Sequence, residues 1–512
     1  MYSAREKLKK MALLFGLFVI VDVDANDGQK SAESAMELTN KYCGLCHKVP
    51  SPTLLPKNYW PRTIKIMAGF IRDKMGNDFI SDEVVRDITA LYYGSSPAEL
   101  PRLPYNDDGA ANLKFSVTEL GNPSKIPLIV NLKAVSLYKS GAQQILVCDA
   151  ENKQVTLLEG SGKKWEEKKI ADIDVPAFTD VVDYDGDGDK DIIVTDLGDF
   201  PPSSKLVGRV FLLRQTKLGV FEKELLIDGI PRATQARALD IDGDGDLDLA
   251  VAAFGGNNIG EVFWIEILGD GKQVKHSMLE ISGALNVTPM DLNADGKMDF
   301  VSLVSQEHEM LVAFIAQGNG SFETRIVARA PHPMYGSTGM TVVDIDKDGD
   351  QDILFSNGDA FDTQVDPKPY HGVQWLENKG GLIFEFHEVG RSYGVASAVA
   401  YDIDGDGDLD VIASSFLNYW DDSKRKSLVW FENDGRQHFT QHNFVDTPPG
   451  IVSFEINDFN RDGKPDILLG TFRMDLLQIL DSHNARKIEE LHKETATHTR
   501  FILLKNEIPK TK

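Results

Sequence analysis

The chain has 512 residues, a formal net charge of −25 and 42% hydrophobic residues. That length accommodates a large core and more than one domain. The acidity argues against a nucleic-acid partner and an anionic membrane surface, because no basic face would meet phosphate. Three cysteines are too few for a disulfide framework.

The N-terminus reads as an export signal. Arg5, Lys7, Lys9 and Lys10 precede an apolar run from Met11 to Val21, too short for an ordinary membrane span. Val23 and Ala25 suit cleavage after Ala25, so residues 1–25 are assigned to a signal peptide and the remainder to the periplasm or the exterior. An uncleaved anchor is the alternative. No later run approaches the length of a spanning helix, so no integral membrane protein is expected after cleavage.

Residues 26–98 form the next unit. Cys43-Gly-Leu-Cys46-His47 has the spacing of c-type haem attachment. Two thiols two residues apart meet the two vinyl groups of one porphyrin, and the adjacent imidazole becomes the proximal iron ligand. A zinc site would need a second ligand pair, and no other Cys or His occurs before Cys148 and His276. A redox CxxC pair would need a βαβ context. Residues 31–42 are helix-compatible, and residues 81–93 have helical apolar spacing with Ser81 as a cap. Helix, CxxCH, loop and closing helix resemble the small class I cytochrome c domain over residues 30–98. With no other histidine in the segment, the distal ligand is a methionine: Met67, or alternatively Met75. The implied cofactor is one covalent haem c. Residues 99–105 continue a Pro- and Ser-rich stretch that reads as a stiff linker.

Residues 106–512 are organised by an acidic unit that occurs six times, starting at Asp183, Asp240, Asp291, Asp344, Asp402 and Asp458. The spacings are 57, 51, 53, 58 and 56 residues, which marks a repeat architecture. Alternate loop positions supply the ligands of a hard cation, position seven through its carbonyl, and a glycine at position six makes the turn. The candidate ligands are Asp183, Asp185, Asp187, Asp189 and Asp191; Asp240, Asp242, Asp244, Asp246 and Asp248; and Asp291, Asn293, Asp295, Lys297 and Asp299. They continue with Asp344, Asp346, Asp348, Asp350 and Asp352; Asp402, Asp404, Asp406, Asp408 and Asp410; and Asp458, Asn460, Asp462, Lys464 and Asp466. An EF-hand is excluded. Its twelfth position needs Glu, and here stand Val194, Val251, Ser302, Phe355, Ala413 and Leu469. Apolar strands follow the loops instead of helices.

These loops, the strands after them and Phe254-Gly255-Gly256 resemble the FG-GAP/VCBS repeat of integrin α-like propellers. Further strands read Val-Phe-Trp264-Ile-Glu, Val-Gln-Trp375-Leu-Glu-Asn and Val-Trp430-Phe-Glu-Asn, then FEFHEV and FTQHNF. Four strands per period make one propeller blade. Residues 133–147 match a blade without its metal, with Ser136, Tyr138, Ser140 and Gln144 at ligand positions. Residues 114–120 match a closing strand. Residues 482–493 look helical, and 499–505 look like the strand after them. The expected architecture is therefore multidomain: a small all-α cytochrome c domain followed by an all-β seven-bladed propeller with about six structural calcium ions.

If the acidic loops join strands one and two, the inserts at 196–206, 357–371 and 415–426 lie on the opposite face. Arg232, His332, Tyr335, Arg391 and Tyr393 fall there and are candidate residues of a ligand funnel. No phosphate loop, nucleophile elbow or HExxH motif occurs, and no tryptophan-docking repeat of quinoprotein propellers. The expected function is one-electron transfer, with the propeller docking a periplasmic redox partner or a glycan. The alternatives are a haem-linked oxidoreductase with its substrate in the funnel, and an adhesion-type binding protein with an accessory haem.

Overall fold

A computed structural model describes residues 35–45, 47–105, 113–161, 164–256, 259–268, 271–361, 366–444, 447–473 and 498–507. The expected export signal, Cys46 and the expected helix at 482–493 lie outside the described residues.

Seven four-stranded antiparallel sheets follow one another, and each is a propeller blade. Blades 1 to 6 span residues 129–172, 176–230, 233–279, 288–329, 337–391 and 395–443. Blade 7 takes three strands from 451–506 and its fourth from residues 115–120. That fourth strand runs antiparallel to the last one, with Phe115 opposite Asn506 and Leu120 opposite Phe501. The two ends of the repeat array are thereby hydrogen-bonded to each other, which closes the ring of blades.

Strand composition sets the layering. In blades 2, 4, 5, 6 and 7 every residue of the second strand is buried. Runs such as Ile192-Ile-Val and Ile467-Leu-Leu can therefore be apolar on both faces. The outermost strands mix exposed and half-buried positions, as in Lys164–Asp172. First strands of neighbouring blades lie side by side, and apolar clusters such as Ile193, Val210, Leu249, Val251 and Phe263 fill the space between blades. Cys148 is fully buried in this core.

Among the described residues, three α-helices precede the propeller: α1 (Ala35–Cys43), α2 (Trp60–Met75) and α3 (Asp82–Ser95). Ser81 caps α3 by accepting from the Val84 N–H at 3.3 Å. Leu38, Leu55, Trp60, Ile64, Ala68, Ile80, Ile88 and Tyr92 form their own small core. Trp60 and Tyr92 meet with ring centroids 4.3 Å apart, and the Tyr92 hydroxyl donates to the Pro50 carbonyl. Among the described residues no helix is long and apolar enough to cross a membrane.

Candidate functional site

All six acidic loops connect the first and second strands of blades 2 to 7, so they share one face of the propeller. Their glycines at position six have φ between 80° and 102°, a conformation that strains any residue with a Cβ. In five loops the first Asp accepts the N–H of that glycine, at 2.8–3.1 Å. The third and fifth side chains accept N–H groups two residues on, as Asp185 does from Asp187 and Asp187 from Asp189. Each loop is thus pre-folded with its carboxylates turned inward.

The ninth residue has a separate job. Asp191, Asp248, Asp299, Asp352, Asp410 and Asp466 are all buried. One oxygen of each accepts an N–H from the start of its loop, and the other accepts an N–H from the end of the third strand, at 2.7–3.4 Å. The residue therefore clamps loop to blade, with or without a cation. Burial pushes the carboxyls of Asp352 and Asp466 up to about 6 and that of Asp410 up to about 7. Blade 1 tests this. Gln144 takes the ninth position, and its Oε1 accepts the Leu137 N–H at 2.8 Å. The clamp survives with a neutral amide where the acidic loop is absent.

Carboxylate oxygens converge within 4.8 Å of one another at Asp183, Asp185 and Asp191; at Asp240, Asp242 and Asp248; at Asp344, Asp346 and Asp348; and at Asp402, Asp404 and Asp406. Asp183 Oδ1 and Asp344 Oδ1 are buried and have no hydrogen-bond partner. Clustered oxygen donors with unmatched acceptors fit a hard divalent cation. Residues 183–251, 240–302 and 291–355 match the FG-GAP-like repeat family in three overlapping stretches. Residues 183–355 of this propeller carry FG-GAP-like repeats. The matched stretches run from blade 2 into blade 5, and the same loop hydrogen bonds recur in blades 6 and 7. No curated protein matches the chain.

The helical segment sits on the other side. Among the described residues it meets connections between strands two and three and between blades, opposite the acidic loops. The Tyr59 hydroxyl donates to Asp366 at 2.9 Å, Lys74 faces Glu307 at 3.8 Å, and Met334 packs against the helical core. The linker is pinned to blade 6: the Leu103 N–H donates to the Tyr393 hydroxyl at 2.6 Å, and Arg425 donates to the Leu103 carbonyl. Arg102 lies over the Tyr419 ring at 4.3 Å.

This contact changes the picture of an open funnel. Tyr393 is 1% exposed beneath the linker. Arg232 is buried and donates to the Asp199 and Phe200 carbonyls, tying down the 196–206 insert. His332 and Tyr335 are buried, and the His332 ring meets Tyr370 at 4.6 Å. Burial, then the charge of Lys48, hold the His332 imidazole down to about 4. Only Arg391 keeps an exposed side chain, paired with Glu388. The physical reasons are two: the chain's own N-terminal part covers blades 5 and 6 at Tyr393 and packs on Met334 beside His332 and Tyr335, and the 196–206 insert folds over Arg232.

Cys43 ends α1 and packs against the helical core. Burial pushes its thiol up to about 11, the opposite of the depressed pKa of a reactive thiolate. His47 Nδ1 lies 2.9 Å from the Lys48 carbonyl, which leaves Nε2 as the available ligand atom. Met67 and Met75 are 38% and 42% exposed on α2, and Phe79, 38% exposed, meets the ring of Tyr42 beside the motif. The structure does not choose between the two methionines. Sequence reasoning missed the third-strand charges: Arg214, which pairs with Asp185, and Glu266, Glu377 and Glu432, which pair with outer-strand histidines. Aligning the blades on their ninth loop residue would have found them.

Proposed function

We propose that this is an exported c-type cytochrome that carries one electron on a single haem, docked on a cation-stabilised FG-GAP-like propeller. The observation that carries the reading is the Cys43–His47 motif. Cys43 is an unactivated thiol at the end of a helix, and His47 has its Nδ1 beside a carbonyl, so its Nε2 is presented as an iron ligand. A haem bound there would supply one-electron chemistry, and it would cover apolar surface now exposed at Met67, Met75 and Phe79. Calcium in the acidic loops is a structural part of the proposal, with the ligands named above.

The propeller's role follows from docking. Blades 4 to 6 seat the helical segment and linker. Partner recognition, by a redox protein or a glycan, then falls to the inserts that rim this face. The test is a redox spectrum of the protein expressed in a periplasm. The expected result is a covalent haem band that titrates with one electron and is lost in Cys43→Ala. Absence of covalent haem with both thiols intact would defeat the proposal.

The oxidoreductase reading has one observation in its favour. His371 is fully buried beside Tyr370, and its Nε2 has no hydrogen-bond partner. It lies in the same connection as Asp366, which accepts from the Tyr59 hydroxyl. Substrate-dependent haem reduction by the purified holoprotein would select that reading.

A further inference from the structure

The ring closes where blade 7 meets blade 1, and this seam holds a polar pocket of about 370 Å³. Three distant stretches of chain line it. Asn122 comes just after the closing strand, Asn152, Gln154, Thr156 and Glu167 come from blade 1, and Arg500 directly precedes the third strand of blade 7. The pocket lies on the face opposite the acidic loops, because residues 121–128 join two blades and residues 150–153 join strands two and three of blade 1. The helical segment's contacts with Asp366, Glu307 and Met334 fall on other blades.

The floor is an ordered ion network. Arg500 is 4% exposed. One terminal nitrogen of its guanidinium donates to both oxygens of Glu167 at 2.7 Å, and the other donates to the fully buried Asp149. The buried Thr156 hydroxyl donates to Glu167 at 3.3 Å. These bonds fix the orientation of the carboxylate and the guanidinium at the base of the pocket. The Nε of Arg500 is buried and has no hydrogen-bond partner among the described residues. A buried donor without an acceptor costs about 1–3 kcal/mol, which an oxygen brought in by a ligand would offset.

The polar groups on the walls are uncommitted. Asn122 is exposed and Gln154 is half-buried, and among the described residues neither side-chain amide makes a hydrogen bond. Asn152 gives its amide nitrogen to Asp149 at 2.7 Å and keeps its amide oxygen as an acceptor. The charges, by contrast, are already answered. Arg500 faces two carboxylates, and Lys169, also in the lining, pairs with Asp172 at 2.9 Å. Neither an anion nor a cation meets an unmatched charge there. Among the described residues Pro123 is the one apolar side chain in the lining, so an apolar ligand would find no matching surface. Amides donate and accept at short range, as hydroxyls do. The complement is a neutral ligand dense in hydroxyl groups, of about one or two sugar rings at this volume.

We propose that the seam of blades 7 and 1 is a saccharide-binding pocket, in which Asn122, Asn152 and Gln154 bond the hydroxyls of a terminal sugar over the Arg500–Glu167 floor. This rests on the reading of the propeller as a docking module, and it assigns glycan recognition to one place on it. Both ends of the ring contribute residues, so the pocket exists only in the closed propeller.

The test uses the full chain on an array of oligosaccharides ending in glucose, galactose, mannose or N-acetylglucosamine, each with a sulfated counterpart, followed by calorimetry on the hits. The expected result is saturable binding of a neutral saccharide at one site per chain. Asn122→Ala and Gln154→Ala should each weaken it by about 3- to 10-fold, in line with one lost hydrogen bond. Both side chains are unbonded in the free protein, so the melting temperature of each variant should match the parent. Saccharide binding at parent strength in both variants would overturn the pocket and leave glycan recognition elsewhere on the propeller. Binding of sulfated glycans alone would overturn the neutral-ligand assignment. No binding on the array would overturn the inference and glycan docking with it, while the haem reading stands or falls on its own spectrum.

Discussion

The two faces of the propeller are built on different rules. The acidic face repeats one loop six times, and each copy closes on itself through bonds between near neighbours and is fixed to its own blade by its ninth residue. The opposite face has no repeat: its inserts differ in length, and it is covered over blades 4 to 6 by helices and a linker from another part of the chain. The first face is a stack of local solutions. The second is a single long-range one, in which Tyr59 reaches Asp366 and Leu103 reaches Tyr393. Regularity therefore marks the face built from local contacts, and irregularity the one built from contacts between distant parts of the chain.

With cations in the acidic loops as proposed, the largest effect should come from removing them, which attacks the acidic face alone. A site with ligand at 100-fold above its Kd contributes about 2.7 kcal/mol, so several sites lost together should lower the propeller's Tm by about 10 °C or more. On the proposed reading, the haem spectrum should stay unchanged. Equal melting with and without chelator would remove the contrast between the faces.

Asp410→Ala should come next. It strips the acceptor from the Ile403 and Asn433 N–H groups in a buried setting, at about 2–4 kcal/mol measured by urea unfolding. The loss should persist in chelator, because the clamp acts without a cation.

Glu455 lies on the first strand of blade 7, between the faces. Burial pushes its carboxyl up to about 7 from 4.5, partly offset by Lys133. The folded state then holds this proton more tightly than the unfolded chain does. Its contribution to stability falls as pH rises from 4.5 towards 7 and is constant above. Glu455→Gln should gain about 1–3 kcal/mol on the parent at pH ~8 and nothing at pH ~4, read from denaturation at both pH values.

On the docking face, Tyr393→Phe removes the acceptor of the Leu103 N–H. A loss of about 1.4 kcal/mol should speed tryptic cleavage after Arg102 by about 10-fold. An unchanged rate would mean that the linker is held by Arg425 and Tyr419 instead. The smallest effect belongs to Ala294, whose φ of 57° is left-handed where blades 2, 3 and 6 use glycine. Ala294→Gly should stabilise by about 0.5–1 kcal/mol in calorimetry.

Much of this was readable before any coordinates. The Asp-x-Asp-x-Asp-Gly period marks the blades, and residues 114–120 announce the closing strand, because a hairpin loop and its flanking strands depend on neighbours in the chain. The ninth-position Asp was readable as acidic but not as a clamp. Its second partner, such as Gln215 for Asp191, comes from another strand. The glutamates at 266, 377 and 432 were visible in a Trp-x-Glu pattern, yet their histidine partners come from the outer strand.

Local chemistry thus specified the blade, its count and the thiol–imidazole motif, since each depends on residues a few positions apart. The burial of Tyr393, His332 and Arg232, the seating of the helices over blades 4 to 6, and the difference between Arg214 and Glu377 came from packing. Those contacts join residues up to hundreds of positions apart, and no spacing along the chain encodes which of them meet.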